Sequence, residues 1–302
     1  MHEVGYFEPL SDDQALSGFV VSSADGQKRY GYKVDGKHSA AQNHAVVPPQ
    51  ASHKLFTENV KRIIHLIGLN GLLKVVVSRV SKATLPKTRR MEFFNHLCKV
   101  YPNAFVYYFE DPILGAWIGA SPEILLRRID QQYFVMSLAG TQKKDENREW
   151  TEKERVEHQL VADFILEKIQ DFGAENIEIS GPYAQEAGPV KHLRTDLSFN
   201  MNVALETSLI GALHPTPAVC GMPRDMAMET YSQLEQHQRE LYTGYIGLFQ
   251  KNQSYSYVNL RCAQMIENDI YIYVGAGITH ESDPESEWQE TENKLKTLLD
   301  QL

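Results

Sequence analysis

The sequence predicts an α+β protein, and three observations carry that reading. Short runs rich in β-branched and aromatic residues, bounded by turn residues, occur at 72–80, 104–110 and 133–139. Longer stretches with apolar residues three and four apart, at 55–67 and 151–172, read as helices. Near the C-terminus, 245–249, 254–266 and 270–274 read as successive antiparallel strands, with Glu267-Asn268-Asp269 as a turn. The 302 residues allow one large domain or two small ones, and 42% hydrophobic with 23% charged residues suits a protein with a sizeable core.

The first 50 or so residues are polar and weakly patterned, with short strands expected at 18–21 and 29–32 and a connector at Val46-Val47-Pro48-Pro49. The helix over 55–67 ends at Gly68 and Gly71. In the strand that follows, Lys74 shares a face with Leu72, Val76 and Val80. A lysine there is either an edge-strand gatekeeper or a desolvated amine of the kind a general base requires. A helix near 90–101 and a strand at 104–110 come next. A hairpin is expected to pair 116–120 with 123–128 across Ser121-Pro122, which puts Glu123 after the turn proline as a surface residue or an acid. The strand over 133–139 ends at Gly140-Thr141, and 142–150 reads as an exposed loop.

The helix over 151–172 carries Val156, Leu160, Val161, Phe164, Ile165, Ile169 and Phe172, and Glu154 and Glu157 fall inside that apolar face. Burying two unpaired carboxylates is costly, so a cation must be near. A second pair, Glu287 and Glu290, shares a stripe with Lys294 beside the apolar face of Trp288, Leu295, Leu298, Leu299 and Leu302. That stripe is a solvated face or half of a site. Two Glu-x-x-Glu pairs without His or Cys suit a hard cation, and Mg2+ matches best.

Between the pairs, 190–198 contains His192, 203–210 is irregular or helical, and 214–223 is a Pro- and Gly-rich loop. Helical spacing runs over 226–242. Arg261 lies mid-strand among Val258, Leu260 and Cys262, fit for bidentate carboxylate binding or for an internal ion pair. Gly275-Ala276-Gly277 allows a ligand close to the backbone.

A net charge of −9 argues against a nucleic-acid surface. No apolar run is long enough to span a bilayer, and the N-terminus lacks the pattern of a signal peptide, so a cytoplasmic protein is expected. Cys98, Cys220 and Cys262 are widely spaced and odd in number, as expected of reduced thiols.

Eight ordered blocks resemble the chorismate-utilising enzymes, the group of isochorismate, salicylate, anthranilate and aminodeoxychorismate synthases. They are KVVVSR (74–79), GASPEILLRR (119–128), LAGT (138–141), EKERVEHQLV (152–161), HPTPAVCGMP (214–223), RELYTGYIG (239–247), VNLRCA (258–263) and GAGITHESDPESEWQETENK (275–294). The likeness covers roughly 55–302 and is shortened before that, which leaves the outer strands open. It implies a single chorismate-binding catalytic domain over 1–302, with two antiparallel sheets packed face to face and helices outside. Lys74 and Ala218 match the isochorismate branch, where ammonia-using members carry Gln and Thr.

In that likeness Lys74 is the general base for a water attacking C2, and Glu123 is the general acid for the leaving C4 hydroxyl. Glu157 and Glu290 bind Mg2+ directly, while Glu154 and Glu287 hold its waters. The metal grips the ring carboxylate; Arg261, Lys294 and the Gly275 backbone grip the enolpyruvyl carboxylate. Gly140 and Thr141 line the metal side, and His192, Ala218 and Tyr242 lie near the substrate. The expected activity is a Mg2+-dependent isochorismate synthase, a monomer by default, serving menaquinone or siderophore synthesis. The rivals are a salicylate synthase, an aminating synthase and an inactive metal-binding relative.

Overall fold

Residues that alternate along a strand give it two faces to bury, and the computed structural model shows how both are used. It describes residues 6–11, 14–33, 46–145, 148–187 and 190–302. In chain order the first elements are β1 (Tyr6–Leu10), β2 (Gly18–Ser22), β3 (Arg29–Lys33), α1 (His53–Asn70) and β4 (Lys74–Thr84). They are followed by α2 (Arg90–Val100), β5 (Phe105–Asp111), β6 (Gly115–Ser121), β7 (Ile124–Ile129) and β8 (Gln132–Lys143). The middle holds α3 (Glu152–Asp171), β9 (Glu175–Ala187), β10 (Val190–Asn200), α4 (Glu206–Leu213), β11 (Gly221–Met222) and α5 (Arg224–Leu234). The last are β12 (Tyr245–Phe249), β13 (Gln253–Val258), β14 (Cys262–Ile266), β15 (Asp269–Ile278) and α6 (Pro284–Leu299).

Among the described residues the strands form two sheets. One has nine strands in the order β1-β3-β2-β12-β13-β7-β8-β10-β9, the other six in the order β11-β4-β15-β14-β6-β5. All their pairings are antiparallel. An aromatic layer joins them face to face: Phe7, Val21 and Ile246 of the larger sheet meet Tyr107, Trp117, Tyr271 and Tyr273 of the smaller. Helices cover the outer faces. α3 and α4 pack on the nine-stranded sheet. Phe93 and Leu97 of α2 and Leu295 and Leu298 of α6 pack on the six-stranded one, as do α1 and α5 through Phe56, Val60, Ile63 and Tyr231. This is the expected α+β architecture.

The ends of the helices follow from their sequences. Ser52 caps α1 by accepting from Leu55 N, and Gly71 closes it at φ 71°. Thr151 and Glu154 form a capping box at the start of α3. Asp283 caps α6, which has proline in its first turn.

Several expectations need correction. The hairpin across Ser121-Pro122 does not form, because β6 belongs to the six-stranded sheet and β7 to the nine-stranded one. The run over 254–266 is likewise two strands: β13 lies in the larger sheet and β14 in the smaller, with Arg261 at φ 49° in the break. Helical spacing over 226–242 outlasts the helix, since α5 stops at Leu234. The Glu235 carboxylate then accepts from Ser78 N and Arg239, fastening the chain to β4. The exposed loop expected from 142 onward begins too early, as β8 runs to Lys143 and Gln142 is buried. Lys74 is no edge gatekeeper, for β4 lies between β11 and β15. Val156 and Leu299, read as apolar-face residues, are exposed. Sequence patterning missed β1 and β9 altogether. Within the polar N-terminal stretch, residues 1–5, 12–13 and 34–45 lie outside the described residues.

Candidate active site

The inner row of β15 runs Tyr271, Tyr273, Gly275, Gly277, while Ile272, Val274, Ala276 and Ile278 face the helices. Aromatic rings fill the space between the sheets at one end of that row, and two glycines leave it open at the other. A Cβ on Gly277 would collide with Glu157 Oε1 and come 2.8 Å from Lys74 Cε. One on Gly275 would lie 3.0 Å from the Tyr242 hydroxyl. These glycines are therefore required by what packs against them.

The chain passes from one sheet to the other twice at this opening, and the two crossings run side by side. Val258 N donates to Glu123 O at 2.9 Å, and Ala120 N donates to Arg261 O at 3.0 Å. One crossing presents Glu123 to the cavity, the other Arg261. Glu123 is buried, and loss of solvation raises its carboxyl to about 7 although Lys74, Lys294 and Arg261 pull it down. Arg261 donates to the Lys294 carbonyl at 3.4 Å and lies 3.4 Å from His192 Nε2. His192 Nδ1 donates to Gly140 O at 3.1 Å, which leaves Nε2 as the acceptor. Burial, reinforced by Arg261 and Lys294, drops this imidazole to about 3, so it is neutral at ordinary pH. Lys294 Nζ donates to Gly275 O at 2.9 Å and pairs with Glu290 at 2.6 Å. Ala218, Tyr242 and Gly140 complete this wall.

Lys74 opens β4, fully buried, and its amine lies 2.8 Å from Glu157 Oε1. Burial works to raise the Glu157 carboxyl, but Lys74 and Lys153 outweigh it and hold it at about 2. α3 and α6 meet through an ion pair of 2.7 Å between Lys153 and Glu287. Burial alone would lower the Lys153 amine; Glu287, Glu157 and Glu290 together hold it above the ordinary lysine range. Glu287 is pushed up to about 7 by burial, with Lys153 pulling it down and Glu290 adding repulsion.

Glu154 does not join these carboxylates. It accepts from Thr151 N at 2.8 Å and from Arg148 at 2.9 and 2.7 Å, serving the start of its own helix. The Thr141 side chain lies outside what the structure describes.

Among the described residues no three His, Cys, Asp or Glu side chains are gathered as a metal centre. The donor set nonetheless fits a hard divalent cation. Glu287 pairs with Lys153 at 2.7 Å, Glu157 and Glu290 add negative charge that acts on the same amine, and Glu287 Oε2 is buried without a hydrogen-bond partner.

A family model described as chorismate binding enzyme matches residues 13–302. The chain belongs to that family. Among chorismate binding enzymes it is 32% identical to the Escherichia coli K12 isochorismate synthase EntC over 96% of this chain and 78% of that protein. It is 34% identical to the isochorismate synthase MenF of the same organism over 65% of this chain, an alignment that spans only about half (48%) of MenF. The structure of DhbC from Bacillus anthracis superposes with a TM-score of 0.81, covering 94% of this chain and 84% of that one, at 24% identity. That likeness concerns the fold. No helix among the described residues is long and apolar enough to cross a membrane.

Seen as a chorismate binding enzyme, the chain also lines its cavity with residues that sequence reasoning passed over. Val219, Thr243 and Leu260 border it, and Thr243 takes φ 65°. They read as ordinary loop and core residues, and nothing local marks them. Lys153 did carry a signal, since it stands four residues before Glu157 on the same helix face.

Proposed function

We propose that this chain is an isochorismate synthase, converting chorismate to isochorismate by adding water at C2 and releasing the C4 hydroxyl. One observation carries the reading: a buried acid that keeps its proton up to about pH 7 shares a cleft with Arg261, Lys294 and Glu157, and Lys74 sits 2.8 Å behind that Glu157 carboxylate, outside the residues that line the cavity. Glu123 is suited to protonate the departing hydroxyl. Lys74 is suited to take the proton of the incoming water, and Glu157 must first release the amine it holds at 2.8 Å. Arg261 and Lys294 offer fixed positive charge to the enolpyruvyl carboxylate, with neutral His192 as an acceptor beside the guanidinium. Glu157, Glu287 and Glu290 would hold Mg2+, which when bound supplies positive charge opposite the ring carboxylate. Similarity to EntC over nearly the whole chain supports this assignment.

Incubation with chorismate and Mg2+, followed by chromatography of the products, tests it. Isochorismate should accumulate. Salicylate with pyruvate would indicate a salicylate synthase, and an unchanged substrate an inactive relative.

A further inference from the structure

Lys153 pairs with Glu287 at 2.7 Å, and the charges of Glu157 and Glu290 add to that pull on its amine. The other two lysines of the site are committed elsewhere. Lys74 is fully buried against Glu157, and Lys294 is tied to Gly275 O as well as Glu290. Lys153 is no more exposed than Lys294, 18% against 19% of the side chain, but whereas Lys294 faces the inner cavity, Lys153 borders the wide groove between α3 and α6 with Arg148, Glu154, Glu287 and Glu290. Its place is also unusual for a helix. It lies in the first turn of α3, where the helix dipole disfavours a cation and where its neighbours Glu152 and Glu154 are acidic. It satisfies only one Glu287 oxygen, the other being buried without a partner. A flexible amine that leaves a buried acceptor unmet can withdraw into the groove when a denser charge arrives.

We propose that Lys153 is a resident counter-cation, paired with Glu287 across the α3–α6 groove, that a divalent ion displaces, and that it thereby sets how tightly that ion binds. The inference rests on the Mg2+-dependent reading above. Lys153 is a positioning residue here: it touches Glu287 and acts on substrate only through the metal-site carboxylates.

Calorimetric titration of Mg2+ into the substrate-free protein tests it, using the parent, Lys153→Met, Lys153→Gln and Lys153→Arg. Removing a competing unit charge at contact distance should tighten Mg2+ binding by about tenfold or more in the Met and Gln variants. The Arg variant keeps the charge and should bind like the parent. In thermal melts the Met and Gln variants should start lower without metal and gain more from added Mg2+ than the parent does. A variant that folds only in the presence of Mg2+ supports the proposal equally. Mg2+ affinity that is unchanged or weaker in both neutral variants overturns it, whatever their stability, because a merely structural lysine would not restrain the metal. Titration needs no turnover. A parent that binds Mg2+ but makes no isochorismate therefore overturns the proposed activity and leaves this inference standing.

Discussion

Glu123 is 4% exposed beside the cavity, and the cost of burying a carboxylate lifts it to about 7 against three nearby cations. A folded-state value above the ordinary carboxylate range means that folding takes up a proton. This contribution to stability is whole below that range and is lost as pH rises through about 7. The same proton is the one a general acid donates, so kcat/KM should fall above about pH 7. Glu123→Gln should reduce turnover by about 10²–10⁴ and flatten the loss of stability between the ordinary carboxylate range and about pH 7, as read from pH–rate profiles and urea melts. A profile in Glu123→Gln that matches the parent would remove Glu123 from the chemistry. Lys74→Ala should lower turnover by a similar ~10²–10⁴ and, by breaking a buried pair, cost about 3–5 kcal/mol. Circular dichroism should still show the native fold, because Lys153 continues to offset Glu157. Local pattern left both residues open, Lys74 as an edge gatekeeper or base and Glu123 as a surface turn residue or acid, and only the family resemblance gave them their roles. Lys153 was harder to read, since its ion-pair partner lies 134 residues away.

At the level of elements, β15 shows how one strand serves two purposes. Its inner row changes from tyrosine to glycine, so the half nearer its start builds the layer between the sheets and the half nearer its end leaves room for the Glu157–Lys74 pair. At Gly277 its backbone is fixed by β4, through Gly277↔Val76 and Ile278↔Val75, the ladder to β14 having ended at Ile272. Gly277→Ala should therefore displace Glu157 or Lys74 rather than the strand. The expected result is a stability loss of about 1–3 kcal/mol in urea unfolding, with turnover close to that of Lys74→Ala. Full activity in this variant would mean that the pair is not needed. Most strands and helices were legible from periodicity, but their sheet membership was not. A period of two reads alike in either sheet, so 253–258 and 262–266 merged into one run. The tail of helical spacing beyond Leu234 misled for a different reason. There a tertiary clamp from Arg239 to Val219 O and Val76 O overrode the local pattern.

For the whole molecule, the consequence of two sheets is that the chain must cross between them, and the crossings are where the chemistry collects. Adjacent antiparallel crossings deliver Glu123 and Arg261 together, while β4 brings Lys74 and the α3–α6 pair brings the carboxylates. Corners where strands change sheets relax the ladder and leave side chains free to point into the gap. The overall charge of −9 offers an anionic substrate no general attraction, so the proposed activity would leave its recognition to Arg261, Lys294 and a bound cation. The two acidic pairs were visible in the spacing of residues, but the way these segments meet was not, because it depends on contacts between distant parts of the chain. Running the reaction with chorismate and Mg2+ in 18O-enriched water, and locating the label by mass spectrometry and NMR, tests the account most directly. Isochorismate carrying one solvent oxygen at its C2 hydroxyl is the predicted result. Isochorismate without the label would contradict it, since Lys74 would then have no water to activate.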